Sequence, residues 1–136
     1  VKTDLAYLIF AMVVAIFGFS PFALSEPAPL QVVKVTSVYD GDTFKANLNC
    51  DIVLFCKNIS IRPAGYDAME LRGATNKADA IAARDQLRDL LENAQRIELR
   101  NVKRGKYFRI VADVYIDNIS LSKIMLETGL VKRYEK

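Results

Sequence analysis

The chain has 136 residues, with 51% hydrophobic and 26% charged residues and a formal net charge of +3. That length suits one domain, the composition favours a packed core over a disordered chain, and the mild positive charge tolerates a polyanionic partner without demanding one. The absence of any His excludes Ser-His-Asp triads, imidazole general bases and His-ligated metal nucleases. Any catalysis must run on carboxylates, guanidiniums, lysines or hydroxyls.

The chain opens on Lys2 and an apolar run from Leu5 to Phe19, then Ser20 to Ser25. Ala23 and Ser25 give a small-x-small pattern, so residues 1–25 read as a signal peptide cleaved before Glu26. An uncleaved membrane anchor is the alternative, since Leu5 to Leu24 approaches spanning length. Either reading places the folded part outside the cytoplasm, secreted or periplasmic, or tethered with the domain outside. Residues 26–31, with Pro27 and Pro29, read as a linker, and residues 32–136 as the domain.

Val32 to Tyr39 is β-branched and predicts a strand, Asp40-Gly41 a hairpin turn, and Thr43 to Leu48 its return. Asn49 to Lys57 predicts a loop carrying Cys50 and Cys56. In an oxidising compartment such a close pair is expected to be bridged, with two small buried thiols as the alternative. Zinc lacks ligands here. Asn58 to Arg62 predicts a third strand, ended by Pro63.

From Asn76 to Ala94 the period becomes helical, with Ala83, Leu87, Leu90, Leu91 and Ala94 on one face and Thr75 or Asn76 as cap. Arg96 to Arg100 and Ile110 to Ile116 predict two more strands. Asp117-Asn118 predicts a turn, then a helix Leu121 to Thr128 capped by Ser120 and closed by Gly129. This order predicts an α+β, mostly β fold: a five-stranded OB-type barrel with two to three helices.

Charged residues fall where strands and turns do not need them. Asp40 and Asp42 share a tight turn, Arg62 ends an apolar strand, Asp67 and Glu70 share a loop, and Lys106 and Arg109 open a strand. The segments "VYDGDTF", "IRPAGYDAMEL" and "KYFR", in that order and spacing, resemble the staphylococcal nuclease (thermonuclease) family. The resemblance runs from Val32 to Tyr134, and the stretch from Asn101 to Leu130 is similar to the secreted bacterial branch.

That resemblance implies a Ca²⁺-dependent phosphodiesterase acting on DNA with little sequence specificity, and it leaves RNA open as a second substrate. It implies Asp42, Asp67 and the Ala68 backbone carbonyl as Ca²⁺ ligands, with Asp40 behind them. It implies Glu70 as the group that activates water, and Arg62 and Arg109 as the guanidiniums that stabilise the five-coordinate phosphorus. Lys106 and Tyr107 are implied as contacts to a neighbouring phosphate. Read without the resemblance, Asp40 is a turn former, Arg109 part of a basic face with Lys103, Arg104 and Lys106, and Tyr107 a packing residue. The sequence departs from the family pattern at Pro63, Tyr66, Ala68 and Met69, and Met69 stands where a proline would fix the loop holding Glu70. A non-catalytic OB-fold module binding nucleic acid or protein is the alternative function. A monomer is expected.

Overall fold

The computed structural model describes residues 25–52 and 55–134. The targeting or anchor segment expected at the amino terminus therefore lies outside the described residues, apart from Ser25.

The elements in chain order are β1 (Leu30–Asp40), β2 (Thr43–Leu48), β3 (Ile59–Pro63), β4 (Tyr66–Ala68), α1 (Lys77–Asn93) and β5 (Ile97–Arg104). A short 3₁₀ turn (Lys106–Phe108) leads to β6 (Ile110–Ile116), β7 (Ile119–Ser120), α2 (Leu121–Glu127) and β8 (Val131–Arg133). Strands β3, β2, β1, β5 and β6 lie side by side, and a parallel pairing of β3 with β6 closes them into a barrel. The closing register sets Ile61 opposite Ile110, Arg62 opposite Val111 and Pro63 opposite Ala112. Five strands closed in this order, with a helix crossing over between β4 and β5, form the OB arrangement.

The alternation read from the sequence fills the barrel. Phe44, Ala46 and Leu48 of β2 are buried, as are Ala112, Val114 and Ile116 of β6. Helix α1 adds Ala83, Leu87 and Leu91 to the same core, and α2 adds Leu121 and Met125. Each buried leucine contributes on the order of 1.5–3 kcal/mol by leaving water. Asn76 caps α1, its side chain accepting from the Asp79 amide at 3.4 Å. Gly129, at φ +72°, follows the end of α2 in the left-handed conformation that glycine adopts at low cost.

Several boundaries differ from the sequence reading. Strand β1 starts at Leu30, inside the expected linker, because Leu30 and Gln31 pair with Leu99 and Glu98 of β5. Gln31 Nε2 also donates to Glu98 Oε1 at 2.9 Å, and Arg96 and Arg100 neutralise that buried carboxylate. Strand β5 runs on to Arg104, through a bulge at Asn101 (φ 51°) whose side chain donates to Asp113 at 2.7 Å. Asp67 and Ala68 are not in a loop but in β4, opposite Lys132 and Val131 of β8. Lys106 to Phe108 does not open a strand either; it is the turn between β5 and β6. Ser120 stands at the cap position of α2 without bonding the helix backbone, its Oγ lying 3.2 Å from Ser122 Oγ. Cys50 and Cys56 are joined by a disulfide, with Cα atoms 6.1 Å apart, in the connection between β2 and β3.

The β1–β2 turn consists of Gly41 and Asp42, with Asp40 opposite Thr43. Gly41 is required there by close approach. A Cβ on it would stand 2.7 Å from both the Ala68 and Ala83 Cβ atoms and 3.3 Å from the Ala83 carbonyl carbon. Glycine and two alanines thus let the turn press between β4 and α1. Gly41→Ala is expected to destabilise the protein by about 1–3 kcal/mol through overpacking, read as a lowered midpoint in chemical denaturation.

Candidate active site

Asp42 is buried at the tip of the β1–β2 turn and is held on both oxygens. Its Oδ2 accepts from the Ala68 backbone N–H at 2.9 Å, and its Oδ1 accepts from Arg62 Nη1 at 2.8 Å and Thr43 Oγ1 at 3.1 Å. The second arm of the same guanidinium, Nη2, pairs with Asp67 Oδ1. Arg62 thereby ties the turn, the end of β3 and β4 into one cluster. Burial works against the Arg62 charge, but Asp42 and Asp67 outweigh it and hold its pKa above the ordinary arginine value.

Asp40 is the second buried carboxylate, and its Oδ1 accepts from the Asp42 amide at 3.3 Å. Burial, reinforced by the like charge of Asp42, pushes its pKa up to about 6. Beneath the cluster lies the Tyr66 ring, 1% exposed, with a hydroxyl that has no hydrogen-bond partner. Burial and the field of Asp42 push that phenol well above its usual range.

A cleft of about 540 Å³ adjoins the cluster. Asp40, Lys45, Ser60, Glu70, Arg72 and Arg109 are among its lining residues. Glu70 is exposed there, and Arg109 is half-buried with its Nε sequestered from water and without a partner. Three cations against two carboxylates give the wall a positive balance suited to an anionic backbone.

The structure therefore gathers Asp40, Asp42, Arg62, Asp67 and Ala68 into one cluster, and Glu70 and Arg109 into the adjoining cleft, with Asp40 belonging to both. Lys106 and Tyr107 are exposed on the turn that precedes Arg109, and Tyr107 makes no buried packing contact. Cys50 and Cys56 take no part in the cleft lining. Sequence reasoning missed Lys45 and Arg72. Lys45 had a signal, as the outward residue between buried Phe44 and Ala46; Arg72 sits in an irregular segment that carried none.

The donors available to a cation are hard oxygens: the Asp42 and Asp67 carboxylates and the Ala68 carbonyl. Both cysteine sulfurs are consumed in the disulfide. Among the described residues no group of three or more His, Cys, Asp or Glu is arranged to hold a metal. Asp42 Oδ2 and Asp67 Oδ2 keep acceptor capacity beyond the contacts above. Such a set fits a calcium ion that keeps much of its water, and does not fit zinc.

No curated protein matches the chain. A family model, the staphylococcal nuclease homologue, matches residues 60–136, which spans β3 to the carboxyl end and includes Arg62, Asp67, Glu70 and Arg109. With more than half of its length matched and the barrel closed in the OB order, the chain belongs to the staphylococcal nuclease homologue family.

Proposed function

We propose that this chain is a calcium-dependent phosphodiesterase, exported from the cytoplasm, that hydrolyses DNA, and RNA, with little sequence preference. The observation that carries this reading is the joining of Asp42 and Asp67 through Arg62 beside a positively lined cleft holding Glu70 and Arg109.

Asp42, Asp67 and the Ala68 carbonyl would hold the Ca²⁺, with Asp40 steadying the turn behind them. A bound calcium ion supplies positive charge beside the phosphate and lowers the cost of activating water. Glu70 removes a proton from the attacking water, and the water oxygen bonds to phosphorus. Arg109 and Arg62 offer N–H forks to the equatorial phosphoryl oxygens as their charge grows. The bond from phosphorus to the 5′ oxygen then breaks, leaving a 3′-phosphate, and the departing oxygen takes a proton from solvent. Lys106 and Tyr107 hold a neighbouring phosphate, which positions the strand without reading its bases.

One observation favours the rival reading of a non-catalytic binding module: Arg62 is engaged by both carboxylates and is not among the residues lining the cleft. Cleavage of plasmid and single-stranded DNA by the full chain, with Ca²⁺ and with chelator, separates the two. Cutting that needs calcium, half-saturating on the order of 10⁻⁴–10⁻³ M for so few protein ligands, is the expected result. Binding of DNA without cutting at any calcium concentration would establish the module instead.

A further inference from the structure

The turn between β5 and β6 carries an arrangement that neither the barrel nor the proposed chemistry requires. It is closed by the Gly105 amide donating to the Arg109 carbonyl at 2.7 Å and the Arg109 amide donating to the Lys106 carbonyl at 3.1 Å. At its tip Tyr107 and Phe108 both take left-handed backbone conformations, with φ of 56° and 59°. That conformation costs an L-residue roughly 1–2 kcal/mol, and glycine would avoid the cost. The two rings recover nothing by burial, since Tyr107 is 92% and Phe108 80% exposed.

Strain of this kind, held at an exposed aromatic pair, points to a use for the rings outside the fold. Their surroundings say which use. The Arg104 guanidinium lies 4.7 Å from the Phe108 ring centre, which supports one face and leaves the ring broadly open. Lys103, Arg104 and Lys106 are all exposed and flank the tip with positive charge. The next residue after Phe108 is Arg109, which lines the cleft. Phe108 has no polar atom and offers a phosphate nothing; what it offers is a π-face beside a cationic track.

Resting on the nucleic-acid reading above, we infer that Phe108, aided by Tyr107, is a base-stacking platform at the cleft entrance that makes this domain prefer unpaired strands. A base in a single strand has a free face to lay on the ring. In a duplex both faces of each base are already covered, so the platform gains nothing there. Discrimination follows from stacking alone, without hydrogen bonds to base edges, and is therefore blind to sequence.

The test is binding by the full chain in chelator, where nothing is cut. The probes are fluorescent oligothymidylate, an abasic strand of equal length, and a duplex. Phe108→Gly removes the ring and relieves the left-handed strain, so its melting temperature is expected to stay level or rise. It is expected to weaken oligothymidylate binding about tenfold or more, while leaving the abasic strand and the duplex unchanged. Phe108→Trp is expected to restore the lost affinity and Phe108→Leu to restore little of it. Equal loss on all three probes, no loss on any, or a wild-type protein that fails to bind single strands would each overturn the inference. So would a Phe108→Gly loss confined to binding of phosphatidylserine vesicles, which would make the tip a membrane contact. A protein that shows this split but never cuts DNA would keep the inference and remove the nuclease reading. Calcium-dependent cutting without the split would do the reverse.

Discussion

Glu70→Gln is expected to slow phosphodiester cleavage by about 10²–10⁴-fold, the range typical of losing a general base. The substitution keeps the side chain's shape and removes only its ability to take a proton. Glu70 is exposed in the cleft wall and has no hydrogen-bond partner within the described residues, so the fold gives up nothing. Turnover at saturating calcium, measured beside thermal unfolding, checks both halves. A fall in kcat with an unchanged melting temperature is the expected pair of results. Less than a tenfold fall would assign the proton transfer elsewhere, and Asp40 is the other carboxylate on that wall.

Arg62→Ala should act on stability and activity together. Asp42 is nearly sealed from solvent, with 6% of its side chain exposed against 22% for Arg62, and Asp40 lies buried beside it. Removing the guanidinium leaves those carboxylates facing each other without a counter-charge. Breaking a buried pair on one side costs about 3–5 kcal/mol, and the partial exposure of Arg62 places this one at roughly 3 kcal/mol. On the proposed function, loss of the Arg62 donor is expected to lower cleavage by a further factor of about 10²–10³. Arg62→Lys restores the charge but not the fork that reaches Asp42 and Asp67 at once, so it is expected to recover part of the stability and little activity. Denaturation midpoints and cleavage rates of the two variants, measured side by side, test this. An Arg62→Ala protein as stable as wild type would mean that the carboxylates find another counter-ion.

How much of this was readable beforehand depended on how local each signal was. The alternation of Phe44, Ala46 and Leu48 and the helical spacing of Ala83, Leu87 and Leu91 gave the main strands and α1, because hydrophobic period is written along the chain. The short strands β4 and β8 escaped. At three residues each they hold no period, and each exists only because the other pairs with it. The turn at Tyr107 and Phe108 is hidden from the sequence for the opposite reason. Aromatic residues favour strands, and nothing local announces that both take positive φ. Misplaced charges mark the candidate residues along the sequence and the resemblance assigns their roles, but neither shows their division into a buried cluster around Arg62 and an open cleft around Glu70 and Arg109. That division depends on Gly41, whose missing side chain lets the acidic turn settle against Ala68 and Ala83.

The parallel register between β3 and β6 also bears on how the molecule becomes competent. Arg62 belongs to one of those strands and Arg109 immediately precedes the other, and Ile61 meets Ile110 only in that pairing. Local hairpins form on the microsecond scale, whereas a parallel pair across a whole helix must first meet the entropy of closing a long loop. The β1–β2 hairpin can therefore present Asp40 and Asp42 early in folding, while the second guanidinium is still remote. On the proposed function, a nascent or partly unfolded chain would hold its carboxylates but lack the paired guanidiniums, so competence is expected to arrive with ring closure and not with secondary structure.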